Sequence, residues 1–320
     1  MGRNLFIVNP GASGGQGEVA WTRFCDLWPD SIDPKDVRVT EGPGHARQIA
    51  ASVEDYDILT AVGGDGSVNE IFNGVMKRDG IHPRIAIIPA GTGNDIARTI
   101  GLCPLEAAVD ALRAGNERSF DLIRIDGEDN GRKFARFAFL SANMGFSGAA
   151  NIRPWTKRIF GATAAYYLNT ILRILAHQPP TMSVHWQDNQ YEGRTWMVMV
   201  ANVESASGGS MRIAPGASPL DGKLWVTIIE PKSKLKMLFK ELPKVASGDH
   251  VNSEGFHYFS TSRIEITSDV PAVMDPDGEV EWATQATLSV VPGAVRIVAP
   301  EKVSGPDLSS PPRSHRAVSI

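Results

Sequence analysis

Short apolar runs and amphipathic segments alternate through the first third of the chain. Residues 4–8, 57–62 and 84–88 are nearly continuous apolar stretches of strand length, as strands covered on both faces are, and a further strand is expected over 37–40. Residues 18–28, 43–53, 67–77 and 104–114 instead repeat their apolar positions at helical spacing, and a shorter helix is expected over 96–100. That alternation predicts the α/β class: a doubly wound parallel sheet with helices on both faces. From about residue 119 the texture changes. Segments 134–144, 182–187, 196–203, 224–229, 256–267 and 287–298 are β-rich, several of them alternating apolar and polar residues, and are separated by Gly, Pro, Asp and Asn. They predict an antiparallel β-sandwich, interrupted by helices over 155–176 and 232–247. The expected organisation is an α/β domain over 1–125, a β-sandwich domain over 126–300 and a disordered tail over 301–320, rich in Ser, Pro and charge. No internal repeat is visible.

The loops that follow the strands carry the chemistry. After 57–62 comes Gly63-Gly64-Asp65-Gly66-Ser67, running into an amphipathic helix. Its glycines free the backbone for positive φ and for close approach of a ligand, and a helix N-terminus offers bare N–H groups to a phosphate. Asp65 stands inside that anion site, where a carboxylate repels phosphate unless a cation lies between them. Mg²⁺, held directly or through water, is the simplest such cation. Asn69 and Glu70 fall on the first turn of the helix; Asn69 is the functional candidate, and Glu70 offsets the dipole. After 84–88 comes Pro89-Ala90-Gly91-Thr92-Gly93-Asn94-Asp95, with Asn94 or Asp95 as N-cap and the Thr92 hydroxyl as a donor. After 4–8 comes Asn9-Pro10-Gly11-Ala12-Ser13-Gly14-Gly15, able to touch a nucleotide through backbone amides and the Asn9 and Ser13 side chains. Three strand–glycine loop–helix units place their loops on one sheet edge. Gly15-Gln16-Gly17-Glu18-Val19-Ala20 fits the dinucleotide fingerprint formally, but it starts well beyond its strand, which argues against a dehydrogenase. Thr40 ends its strand and by itself reads as a turn residue ahead of the next helix.

Composition narrows the partners. The chain has 320 residues, 42% hydrophobic and 21% charged, with a net charge of −4. That balance gives no bulk attraction to nucleic acid, and no basic stripe with interleaved aromatics appears. No apolar run reaches the ~20 residues that span a bilayer. With no signal-like start and two lone cysteines, Cys25 and Cys103, expected as buried thiols, a cytoplasmic location is expected. Membrane contact then requires a local patch; basic and aromatic residues 154–160, ahead of an apolar helix, are a candidate, although packing of that helix between the domains is the preferred reading.

Asn9-Pro10-x-x-Ser13-Gly14, Gly63-Gly64-Asp65-Gly66-Ser67-x-Asn69-Glu70 and Pro89-x-Gly91-Thr92-Gly93-Asn94-Asp95-x-Ala97-Arg98 together resemble the diacylglycerol kinase catalytic family. That family takes in bacterial soluble lipid kinases, sphingosine kinases and ceramide kinases. Asn143-x-Gly145-x-x-Gly148, Ile213-Ala214-Pro215, Asp221-Gly222-Lys223-Leu224 and Asp277-Gly278-Glu279 extend the resemblance over residues 4–299. It implies an ATP-dependent, Mg²⁺-assisted kinase that phosphorylates a lipid alcohol at a membrane surface: diacylglycerol, giving phosphatidic acid, or a sphingoid base or ceramide. Asn9, Pro10, Ser13, Thr40, Gly63, Gly64, Asp65, Gly66, Ser67, Asn69, Gly91, Thr92, Gly93 and Asn94 would hold the nucleotide, and Asp65 the metal. Asp277-Gly278-Glu279 matches the family segment that supplies the catalytic base, Glu279 first and Asp277 second; on its own it reads as a hairpin turn with solvated acids. Asp221 resembles an acid that binds a structural Mg²⁺, although Trp225 stands where many members have a second acid. Many members also carry Lys or Arg after the first Ser-Gly, and this chain has none there. A homodimer is compatible with the resemblance. The alternatives are a soluble-acceptor kinase of the NAD kinase or phosphofructokinase type and a non-catalytic nucleotide-binding regulator.

Overall fold

The computed structural model describes residues 2–146 and 172–301. Gly148, residues 154–160, most of the helix expected over 155–176 and the tail from 302 lie outside the described residues. Strands β1 (Asn4–Val8), β2 (Val37–Val39), β3 (Ile58–Gly63) and β4 (Arg84–Pro89) pair in parallel in the order β4-β3-β1-β2. Helices α1 (Gln16–Leu27), α2 (His45–Ser52), α3 (Asp65–Val75), α4 (Asp95–Thr99) and α5 (Leu105–Ala114) follow the predicted positions within a few residues. α1 packs with α5, and α2 with α3. Every residue of β3 is buried, which requires cover on both faces of the sheet. Thr60, buried in its middle, donates to Asn4 Oδ1 across the β1–β3 pair (2.8 Å), so the core there carries no unmet hydroxyl.

The second half is antiparallel: β5 (Glu117–Asp129), β6 (Arg132–Ala138), β7 (Ser141–Gly145), β8 (Thr181–Trp186), β9 (Asn189–Arg194), β10 (Met197–Ala201), β11 (Leu224–Ile229), β12 (Phe256–Thr261), β13 (Arg263–Pro276) and β14 (Glu281–Val298). β9 has no buried residue and exists through its pairing with β8, so its sequence gave no apolar signal. The helix expected over 232–247 is a succession of turns: α over Lys234–Lys236, π over Met237–Glu241 and 3₁₀ over Leu242–Val245.

β5 and β14 belong to both halves. Phe120 and Leu122 of β5 and Val295, Ile297 and Val298 of β14 are buried in the core of the first half, whereas Ile123, Ile125, Ala286 and Leu288 are buried in that of the second. The β5–β14 register breaks between Val291 and Val295, and Ile297 pairs in parallel with Ile85 of β4. At the crossing, buried Asp121 accepts the Gly293 N–H on Oδ1 and the Gly222 N–H on Oδ2 (2.8 Å each). A division at 125/126 therefore falls inside a strand. Apolar alternation marks a strand but not the sheet it joins, so the return of the chain's far end to the first core was not legible in the pattern.

Candidate active site

The loops after β1, β3 and β4 meet at the carboxyl edge of the parallel strands, around a cleft of about 580 Å³. Asn9, Ser13, Thr40, Gly64, Asp65, Gly66, Ser67, Gly91 and Thr92 line it, with Glu279 from the second half. The loops are tied to one another. Asn9 Nδ2 donates to Ser67 Oγ (2.9 Å), and Thr92 Oγ1 donates to Ser13 Oγ (3.0 Å). The Thr40 N–H donates to Val8 O (2.8 Å), extending the β1–β2 pairing to the cleft. Gly17 allows α1 to start against the first loop, because a Cβ there would lie 1.8 Å from the Asn9 carbonyl oxygen.

The expectation of positive φ in the second loop is corrected. Gly63, Gly64 and Gly66 all avoid positive φ. Gly64 is needed because the second and third loops touch: its Cβ would lie 2.9 Å from Gly91 Cα. At Gly63 a Cβ would meet Ser67 Oγ at 2.5 Å, whereas at Gly66 it would meet nothing within 4 Å. Close approach of backbone to backbone explains Gly64 and contact with the Ser67 side chain explains Gly63, while left-handed turns explain none of the three.

Polar groups at the helix starts are shared between neighbouring elements. Asp65 Oδ1 accepts the Ile96 N–H (2.9 Å) and so caps α4 from outside, while Asn94 closes its own loop with bonds to Gly91 N (2.7 Å) and O (2.9 Å). The Asn94 side chain is thus spent within the loop, and neither it nor Pro10 nor Gly93 is among the residues lining the cleft. Glu70 caps α2, accepting from Gly44 N (2.7 Å) and Arg47 N (3.4 Å). Asp95 Oδ1 accepts from Gly208 N (2.7 Å), binding the third loop to the second half; burial, then the nearby Asp65 carboxylate, raises its pKa. Among the described lining residues Asp65, Glu70 and Glu279 are acidic and none is Lys or Arg.

The two acids of the β13–β14 turn have separate environments. Asp277, at φ 49, accepts from Asn69 Nδ2 (2.8 Å) and Phe139 N (2.7 Å) on Oδ2, and from Leu140 N (2.8 Å) and Ser141 N (3.0 Å) on Oδ1. Burial pushes its carboxyl up to about 6 against the pull of those four donors. A carboxylate filled by N–H donors has no lone pair to offer a substrate, which removes Asp277 as a candidate base. Glu279 is exposed and faces the cleft. Asn69 is corrected as well: it is 5% exposed and binds Asp277 and the Phe137 carbonyl (3.0 Å) instead of pointing into the cleft. Asn73, which the sequence reading passed over, accepts from Phe137 N (2.9 Å) and donates to Phe137 O (2.8 Å) and Asn69 Oδ1 (2.9 Å). Its signal was present, since polar residues four apart share one face of a helix that is otherwise apolar there. Helix α3 thus begins at the second loop and, one turn on, grips the turn that carries Glu279.

Asp221 is engaged within its own turn. Its Oδ1 accepts from Lys223 N (2.9 Å) and its Oδ2 from Trp225 Nε1 (3.0 Å), so the indole holds the place of a second acid. Among the described residues no cluster of three or more His, Cys, Asp or Glu is placed to bind a metal by itself. Cys25 is exposed and Cys103 half-buried, both free thiols, which corrects the expectation of buried ones. No described helix is long and apolar enough to cross a membrane.

Comparison with known proteins agrees with this architecture. Residues 3–125 match the diacylglycerol kinase catalytic domain, and residues 140–299 match the YegS C-terminal NAD kinase beta sandwich-like domain. A Staphylococcus haemolyticus protein is 30% identical over 76% of this chain and 77% of its own length, and a Staphylococcus aureus protein is 29% identical over 77% and 78%. Both carry the name "Putative lipid kinase". The fold is that of a Bacillus anthracis structure described as "a putative diacylglycerol kinase", with a TM-score of 0.73, 22% identity and coverage of 94% of this chain and 98% of that one. The chain is a phosphotransferase of the kinase class. It belongs to the diacylglycerol kinase catalytic family, in the group whose second half is the YegS C-terminal domain.

Proposed function

We propose that the protein transfers the γ-phosphate of ATP to the hydroxyl of a lipid alcohol, diacylglycerol first and a sphingoid base or ceramide next. The observation that carries this reading is the exposed Glu279 carboxylate, facing the three-loop cleft from a turn that Asp277 and Asn69 hold rigid. The phosphates lie along Gly64–Ser67 at the N-terminus of α3, with the Ser13 and Thr92 hydroxyls flanking them. Glu279 accepts the hydroxyl proton as the acceptor oxygen bonds to the γ-phosphorus; the bond from that phosphorus to the β–γ bridging oxygen breaks, and ADP leaves.

The donor set fits Mg²⁺ that arrives on the phosphates rather than one caged by protein. A Cβ on Gly93 would lie 3.1 Å from Asp95 Oδ2 and 3.5 Å from Asp65 Oδ2, so two carboxylate oxygens converge there beside a cleft whose described lining lacks cationic side chains. Asp65, with Asp95 behind it, would hold the ion, which when bound neutralises charge on the phosphates. A second cavity of about 400 Å³, lined by Phe146, Arg173, His177, Val273 and Trp282 among others, suits the apolar part of the acceptor. β13 runs from Val273 toward Glu279, six residues on and thus at most about 20 Å away.

Radiolabelled ATP presented with diacylglycerol, ceramide, sphingosine and NAD in mixed micelles tests the reading. Label in diacylglycerol is expected. Label in NAD alone would move the protein to the soluble-acceptor class, and label in none would leave a nucleotide-binding regulator.

A further inference from the structure

Two helical pieces of the second half lie side by side, one over residues 172–176 and one starting at Lys234. Ile174 from the first and Met237 from the second are buried together with Trp196 and Ile229, and Lys234 Nζ donates to the Leu175 carbonyl. With those side chains turned inward, the outer faces carry Leu172 (53% exposed), Leu175 (47%), Leu235 (66%) and Phe239 (74%). Leu235 and Phe239 are four residues apart and share one side of their segment.

The surroundings of these apolar side chains are cationic. Lys234, Lys236 and Lys240 interleave with them, and no acid occurs between Glu230 and Glu241. Glu241 is itself buried and paired with Lys232 and Lys244. Among the described residues no carboxylate forms an ion pair with Lys234, Lys236 or Lys240; Lys236 and Lys240 are exposed. In a chain of net charge −4 this is a local concentration of cations around a large apolar surface. A second copy of the chain, meeting it about a two-fold axis, would bring these lysines against their own counterparts. A bilayer with anionic headgroups takes both components at once, the apolar side chains entering the acyl boundary and the lysines meeting lipid phosphates.

We propose that Leu172, Leu175, Leu235 and Phe239, with Lys234, Lys236 and Lys240, form the face by which the protein docks on anionic lipid bilayers. The purpose of this docking rests on the lipid-kinase reading, since Arg173 and His177, beside Leu172 and Leu175, line the cavity assigned to the acceptor. The docking itself is measurable without turnover.

Sedimentation of the full chain with sucrose-loaded vesicles, of phosphatidylcholine alone or mixed with phosphatidylglycerol, provides the test. The wild type is expected to favour the anionic vesicles, less so as salt rises. Leu235→Ser with Phe239→Ser should lower its partition at least about tenfold on both vesicle types. Lys236→Gln with Lys240→Gln should lower it about tenfold on anionic vesicles and leave neutral ones unchanged. The lysine pair is exposed, so it keeps the test independent of any packing loss at the apolar pair. All four positions lie away from the cleft, and phosphorylation of a short-chain diacylglycerol free in solution should stay at the wild-type rate. Vesicle binding equal in the wild type and both variants would overturn the proposal. So would a dimer, seen by light scattering, that the apolar variant splits. Variant-sensitive vesicle binding without phosphorylation of any lipid would uphold the docking face and count against the kinase reading alone.

Discussion

Asp65 gives one carboxylate oxygen to the Ile96 N–H and directs the other toward Gly93, so removing the side chain altogether would loosen α4 as well as any metal site. Asp65→Asn separates the two, because an amide oxygen can still accept from Ile96 while the charge is gone. The melting temperature is expected to stay within about 2 °C of wild type. Phosphoryl transfer should fall at least about 100-fold; wild-type turnover at saturating Mg²⁺ would take Asp65 out of the metal role. The acids at 277 and 279 make a second contrast at this scale. Glu279→Gln should cut kcat at least ~100-fold with ATP affinity within a few-fold and an unchanged melting curve. Asp277→Asn instead turns an NH₂ against backbone donors and should cost about 3 kcal/mol of stability, with activity lost as a consequence. A denaturant titration beside the kinetic assay distinguishes them. Full activity in Glu279→Gln would remove the proposed base.

At the scale of elements, α3 is the part that couples the two sides of the cleft. Asp65, Gly66 and Ser67 lie on its first turn, and Asn69 and Asn73 dock it to Asp277 and Phe137. Two glycines near its start are predicted to affect nucleotide binding by different routes. Gly64→Val drives a side chain into Gly91 and should separate the second and third loops, abolishing ATP binding in a calorimetric titration. Gly66→Ala meets no protein atom, and alanine is a better helix former by about 1 kcal/mol, so stability should hold or rise. Its methyl group would still project beside the phosphate path and should weaken ATP binding about tenfold or more. A more stable protein with poorer nucleotide affinity is an outcome that a purely structural role for this loop does not produce. Unchanged affinity in Gly66→Ala would move the phosphates elsewhere.

For the molecule as a whole, the first half is completed by the last described strand. Val295, Ile297 and Val298 fill its core, and Ile297 pairs with the edge of β4. A fragment of residues 1–125 would expose both that core surface and an unpaired strand edge. It is expected to aggregate or to melt without cooperativity, whereas the full chain melts cooperatively; circular dichroism with light scattering makes the comparison. A cooperative transition in the fragment would mean that the first half stands without its returning strand.

Local chemistry accounts for what the sequence determined by itself. Apolar periodicity located β1, β3, β4 and the helices, because each element's burial is written in its own spacing. The loops around Asn9, Asp65 and Thr92 were legible for the same reason: glycine runs between a strand and a helix leave few other uses for the backbone. Tertiary structure alone decided where the long-range partners fell. The separation of Asp277 from Glu279 depends on Phe139, Leu140 and Ser141 more than 130 residues away. So does the fate of Asn69, whose inward turn follows from where β6 and the β13–β14 turn come to rest. The return of β14 to β4, and the capping of α4 by Asp65, are likewise contacts between groups that no short window of sequence contains. Hydrogen-bond donors and acceptors are satisfied by whichever partners the fold brings near, and that pairing is a property of the packed chain.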